Sequence, residues 1–143
     1  METHEPALKY GNSLWPAEFL NWERNSDTKH EYVGGRIIDM AGTSVAHNRI
    51  LSNIIVEVGS RLKDKPCKIY PSDLRVYVKE KESYFYPDAT IICGDIEYSD
   101  AEKDTVKNPS VIFEILSPST KDYDKGTKLF YYMQISSLRQ YII

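Results

Sequence analysis

Apolar positions along the chain recur with two periods, and the changes between them divide it into elements. After a loose polar start over residues 1–12, Ser13 is placed to cap a short helix. Pro16 and Glu18 lie in its first turn, and Trp15, Phe19 and Trp22 form its apolar side. His30-Glu31-Tyr32-Val33 and Arg36-Ile37-Ile38-Asp39-Met40 flank Gly34-Gly35, which predicts a hairpin with a glycine turn. Gly42-Thr43-Ser44 then opens the most regular helix. Ile50, Leu51, Ile54, Ile55, Val58 and Leu62 recur at helical spacing, Arg49, Asn53, Glu57, Arg61 and Asp64 lie opposite, and Pro66 stops it.

Beyond Pro66 the period shortens to two. Leu74, Val76 and Val78 alternate with Asp73, Arg75, Tyr77 and Lys79, the pattern of a strand with one face covered. A charged turn leads from there to a strand over 83–93, and an antiparallel pair is the simplest connection. Residues 94–110 are polar and read as an exposed connection with room for a short helix. Val111 to Leu116 reads as a buried strand. It runs through Ser117-Pro118-Ser119-Thr120, a turn and helix cap, into a helix from about Asp122 to Gln134 despite Gly126. Leu138 to Ile143 forms a last apolar strand, beyond which further C-terminal strands are expected. The order predicts one α/β (α+β) domain over residues 13–143, with a mixed central sheet flanked by helices.

Composition narrows the partners. At 143 residues and 41% hydrophobic, the chain suits one core, and its net charge of −3 opposes nonspecific coating of nucleic acid while leaving room for a local basic patch. The two cysteines, Cys67 and Cys93, show no CxxC spacing and read as reduced core thiols. No apolar run approaches the roughly 18 residues of a membrane span, so a soluble cytoplasmic protein without a membrane partner is expected. Eleven tyrosines suit either a packed core or a surface that stacks on bases.

Two residues break the apolar pattern with acid: Asp88 in the run from Tyr84 to Cys93, and Glu114 among Val111, Ile112, Phe113, Ile115 and Leu116. An unpaired buried carboxylate costs several kcal/mol, roughly, so each needs a partner. Mg²⁺ binds one or two carboxylates and keeps several waters, and Asp88, Glu114 and the backbone carbonyl of Ile115 offer such oxygens. Plainer readings stand beside this one. Asp88 after Pro87 suits a turn, Glu114 suits an ion pair, Lys128 suits a solvated helix face, Glu31 a strand edge, and His47 a cap or core hydrogen bond.

Tyr86-Pro87-Asp88 followed by Glu114-Ile115-Leu116-Ser117-Pro118-Ser119-Thr120 resembles the family called "Putative restriction endonuclease", a branch of the PD-(D/E)xK nuclease superfamily. The resemblance extends to Glu31-Tyr32-Val33-Gly34-Gly35, His47, Asp124, Lys128 and Tyr132, over about residues 13–143. It implies a restriction endonuclease-like core, Mg²⁺ or Mn²⁺ as cofactor, DNA as substrate and a homodimer. The superfamily's usual lysine two positions after the glutamate is Leu116 here. Lys128 on the following helix is the residue that matches, one turn beyond Asp124 on the same face. On this reading Asp88 and Glu114 bind metal, Lys128 assists the attacking water, and Glu31, His47 and Asp124 are accessory. Arg49, Arg75, Lys121 and Lys125, with Lys128, supply a basic rim for DNA. The rival is a nuclease fold without turnover, acting as a nucleic-acid-binding or oligomeric interaction module, as Leu116 and the acidic net charge suggest. No glycine-rich phosphate loop or activated serine is evident.

Overall fold

The computed structural model describes residues 15–40 and 42–143; Ser13 and the polar start lie outside them. Its helices and strands are α1 (Pro16–Arg24), β1 (His30–Val33), β2 (Arg36–Asp39), α2 (Val45–Arg61), β3 (Cys67–Tyr70) and β4 (Arg75–Val78). They continue with β5 (Ser83–Phe85), β6 (Ala89–Cys93), β7 (Thr105–Val106), β8 (Val111–Phe113), α3 (Lys121–Tyr123), a π turn (Asp124–Lys128), α4 (Leu129–Tyr132) and β9 (Gln140–Ile142). The fold is mixed α/β as expected, but the strands form two sheets rather than one. The first runs β2-β1-β5-β4-β7 and the second β3-β6-β8-β9. Each is mixed, because β7 joins β4 in parallel and β9 joins β8 in parallel.

The hairpin forms where the glycines predict it. Gly34 and Gly35 have φ of +57° and +90°, the left-handed pair that a two-residue turn with the right twist requires. A side chain at Gly34 would also meet the Tyr131 hydroxyl at 2.9 Å. The stretch 83–93 is not one strand. It pairs with β4 as β5, crosses Tyr86-Pro87-Asp88, and enters the second sheet as β6. Proline has no N–H to give to a ladder, so the crossing falls where the ladder must break in any case.

Alternation along β6 and β8 explains the layering. Ile92 and Ile112 face a common core with Val76, Val78, Phe85 and Val106. Ala89, Ile91 and Phe113 face the opposite way, toward Leu51, Ile54, Ile55 and Val58 of α2. Ile50 does not belong to that inner face and is 46% exposed. On the outer face of the first sheet, Phe19 of α1 stacks on Tyr32 and Tyr84, with ring centroids 4.8 and 5.6 Å away. Several of the tyrosines are therefore core material.

Three further expectations are corrected, and one strand is added. β4 is covered on both faces, because Tyr77 stacks on Tyr84 and Arg75 is buried. The polar connection 94–110 has no helix and contributes the buried β7. Between Pro66 and Leu74 the chain adds β3, which pairs with all of β6 except Ala89. Cys67 and Cys93 are not free thiols: they face each other across the β3–β6 register, Cα atoms 3.9 Å apart, and form a disulfide. Sheet register, which their spacing in sequence does not reveal, brings them together.

Candidate active site

Two strand ends create the centre of the site. Ala89 pairs with Phe113, so the residues just outside that last pair, Asp88 and Glu114, face each other. Strand β8 stops at Phe113, and Glu114 stands one residue beyond it, its own N–H held by the Ile142 carbonyl of β9 at 2.9 Å. Backbone donors cross-link the two acids. The Asp88 N–H donates to Glu114 Oε1 at 3.1 Å, and the Ile115 N–H donates to Asp88 Oδ2 at 2.6 Å.

Lys128 completes the cluster. Its Nζ contacts Glu114 Oε2 directly and lies 3.1 Å from Glu31 Oε2 and 3.7 Å from Asp124 Oδ1. Glu31 comes from β1 in the interior of the first sheet, where its Oε2 also accepts the Tyr86 N–H and its Oε1 accepts the Tyr123 hydroxyl. The Tyr132 hydroxyl donates to Glu114 Oε2 at 3.3 Å. From the start of α2, where Ser44 Oγ accepts the His47 N–H, the His47 ring places Nε2 3.1 Å from Asp88 Oδ1. His47 Nδ1 is buried and has no hydrogen-bond partner among the described residues.

The structure therefore brings together Glu31, His47, Asp88, Glu114, Asp124 and Lys128. They line one cleft of about 790 Å³ between the two sheets, α2 and the 117–128 segment. Of the expected basic rim, Arg49, Lys121 and Lys125 are exposed. Arg75 is not available to DNA. Its guanidinium is buried, donating to the Tyr86 and Thr105 hydroxyls and lying 3.3 Å from Asp104 Oδ1. Lys128 likewise leaves the rim for the interior. Asp73 is exposed and pairs with Lys29 at 3.0 Å. Tyr123 and Tyr141 were not legible as site residues, since nothing in the pattern separates them from core tyrosines.

Charge is the unusual property of the cleft. Three carboxyl groups, those of Glu31, Glu114 and Asp124, surround one ammonium, and that of Asp88 lies beside Glu114. Burial pushes the Glu114 carboxyl up to about 8; Glu31 and Asp88 add to the rise while Lys128 opposes it. Burial also raises Asp124. Lys128 would be lowered by burial, yet Glu114 and Glu31 hold it well above its ordinary value, so it stays charged. Among the described residues no group of three or more His, Cys, Asp or Glu side chains forms a ready-made cage. Two carboxylates beside a local cation deficit nonetheless suit a hard divalent ion that keeps most of its water.

Comparison with known proteins follows the same lines. The profile of the Uma2 family, described as "Putative restriction endonuclease", matches residues 16–143. Two proteins of Synechocystis sp. are similar. "Uncharacterized protein sll1609" is 37% identical over 130 residues, covering 91% of this chain and 73% of its own. "Uncharacterized protein slr1290" is 32% identical over 143 residues, covering 100% of this chain and 74% of its own. A crystal structure from Anabaena variabilis, described as a "putative nuclease belonging to DUF820", superposes with a TM-score of 0.69 at 19% identity. The match covers 89% of this chain and 74% of that one and shows the shared fold.

Proposed function

The chain belongs to the Uma2 family, and we propose from its cleft that it is a metal-dependent endonuclease that hydrolyses DNA phosphodiester bonds. The observation that carries the reading is the meeting of Asp88 and Glu114 at adjacent strand ends with the Lys128 ammonium on Glu114. Asp88, Glu114 and the Ile115 carbonyl are the groups that would hold Mg²⁺ or Mn²⁺. The bound cation supplies a polarised phosphoryl oxygen and a more acidic water.

The remaining work falls to the protein's own side chains. His47 and the Ile115 N–H hold Asp88 from two sides, which fixes its carboxylate without further ordering at the moment of reaction. Glu31 and Glu114 keep Lys128 protonated, so its ammonium orients the attacking water and stabilises charge that develops on the phosphate. Arg49, Lys121 and Lys125 meet the DNA backbone. A homodimer with one site per strand belongs to the same reading. Incubation with plasmid and Mg²⁺ tests it: the wild type nicks, and Asp88→Asn and Lys128→Met do not. Equal nicking by wild type and Asp88→Asn overturns the assignment.

A second reading is favoured by the same Lys128–Glu114 contact. An ammonium seated on the carboxylate performs the neutralising task of a metal, as in a nuclease fold retained as a binding or interaction module. Calorimetry separates the two. The enzyme reading expects Mn²⁺ binding that Glu114→Gln weakens, and the module reading expects none.

A further inference from the structure

The segment that delivers Lys128 is not a regular helix. Lys121–Tyr123 and Leu129–Tyr132 are α-helical, and Asp124–Lys128 between them makes a π turn. Asp124, Lys128 and Tyr132 all point into the cluster at successive spacings of four. In an unbroken α-helix each step of four residues overshoots a full turn by about 40°, so the third side chain would have rotated well off the line of the first. A π turn carries more than four residues per turn and offsets that drift. It thereby keeps the three side chains over one carboxylate.

In a π turn the carbonyls accept from the N–H five residues on instead of four. The Asp124 carbonyl takes a side-chain donor as well. The Tyr141 hydroxyl donates to it at 2.7 Å. Tyr141 is also the partner of Ile112 in the parallel β8–β9 pairing, and its ring lies 5.4 Å from that of Tyr132. Its neighbour Ile142 accepts the Glu114 N–H. One short strand therefore holds both partners of the central pair, Glu114 through its backbone and the Lys128 turn through a tyrosine hydroxyl.

We propose that Tyr141 is a positioning residue: its hydroxyl fixes the π turn in the register that seats Lys128 on Glu114. Only the turnover arm of the test rests on the nuclease reading. In Tyr141→Phe the ring and its packing remain while the donor is lost. The turn relaxes toward an α-helix and swings Lys128 off the carboxylate.

Nitrogen-15 NMR of the lysine side chains reads this directly. The wild type gives a slowly exchanging, shifted Lys128 ammonium signal, and in Tyr141→Phe that signal exchanges at least ten times faster with the fold intact by circular dichroism. An unchanged Lys128 signal in a folded Tyr141→Phe variant overturns the proposal. Should that variant not fold, Tyr141→Met provides the second test, since it also lacks the hydroxyl donor while filling the same apolar space. The same loss of the Lys128 signal is expected, and its persistence is the overturning result. With plasmid and Mg²⁺, kcat falls at least tenfold in Tyr141→Phe while KM for DNA is unchanged. A wild type that cuts nothing but shows the NMR difference leaves the positioning role standing and removes the nuclease reading.

Discussion

Lys128 and Glu114 are in direct contact although one comes from a helical turn and the other from the end of a strand. Neither side chain is more than 5% exposed. Lys128 is the cation that both Glu31 and Glu114 contact, so its removal leaves two buried carboxyls without it, and proton uptake by Glu114 relieves part of that cost. Lys128→Met is therefore expected to destabilise the protein by about 3 kcal/mol in metal-free buffer at pH 8, the low end for a broken buried pair. Urea denaturation measures it, and a loss under about 1 kcal/mol would mean that the pair has little energetic weight.

The same carboxyl predicts a pH dependence. Glu114 titrates near 8 in the folded protein against 4.5 for the ordinary group. Between those values the folded state keeps a proton that the unfolded state has released. Stability is therefore highest below the window and declines as pH rises through it. Glu114→Gln carries no such proton, so its melting temperature should change less between pH 5 and pH 8 than that of the wild type. Parallel slopes in scanning calorimetry would refute this.

The disulfide between Cys67 and Cys93 closes a loop across a separation of 26 residues and ties β3 to β6. Its loss, by reductant or in the Cys67→Ser, Cys93→Ser double variant, should lower stability by about 3 kcal/mol, mainly through the freedom regained by the unfolded chain. Such bonds are rare in reducing compartments. A melting temperature indifferent to reductant, with both thiols alkylated as judged by mass spectrometry, would count against it.

Arg75 and Lys125 should behave in opposite ways. Arg75 is enclosed by Tyr86, Thr105 and Asp104. Arg24, more than Arg75, holds the Asp104 carboxyl well below the usual carboxylate range through direct hydrogen bonds. Arg75→Ala is expected to destabilise by about 2–4 kcal/mol without a change in the salt dependence of DNA binding. Lys125→Ala should leave stability within about 0.5 kcal/mol and reduce the slope of log K against log salt by about one. Fluorescence anisotropy over a salt series distinguishes them.

What the sequence disclosed depended on how local the signal was. Asp88 and Glu114 stand out because each interrupts an apolar run, and their pairing follows once two neighbouring strands are assumed. The hairpin was legible from Gly34-Gly35, whose conformation few other residue pairs adopt. Arg75 was misread because alternation says which face a side chain takes and not what covers it. Its cover, Asp104 and Thr105, lies in a stretch whose polarity suggested solvent. The cysteines were misread for a related reason, since register between β3 and β6 is a property of the sheet. The π turn has no periodic signature. Only the spacing of Asp124, Lys128 and Tyr132 hints at it, and that spacing is equally compatible with an ordinary helix.

The passage of the chain between sheets at Tyr86-Pro87-Asp88 has a mechanical consequence. Glu31 belongs to one sheet and Glu114 adjoins the other, and Lys128 Nζ touches both. The ammonium is thus a rivet through two plates. A ligand that separates Glu31 from Glu114 must break one of these two contacts, so entry into the cleft and its charge balance are coupled.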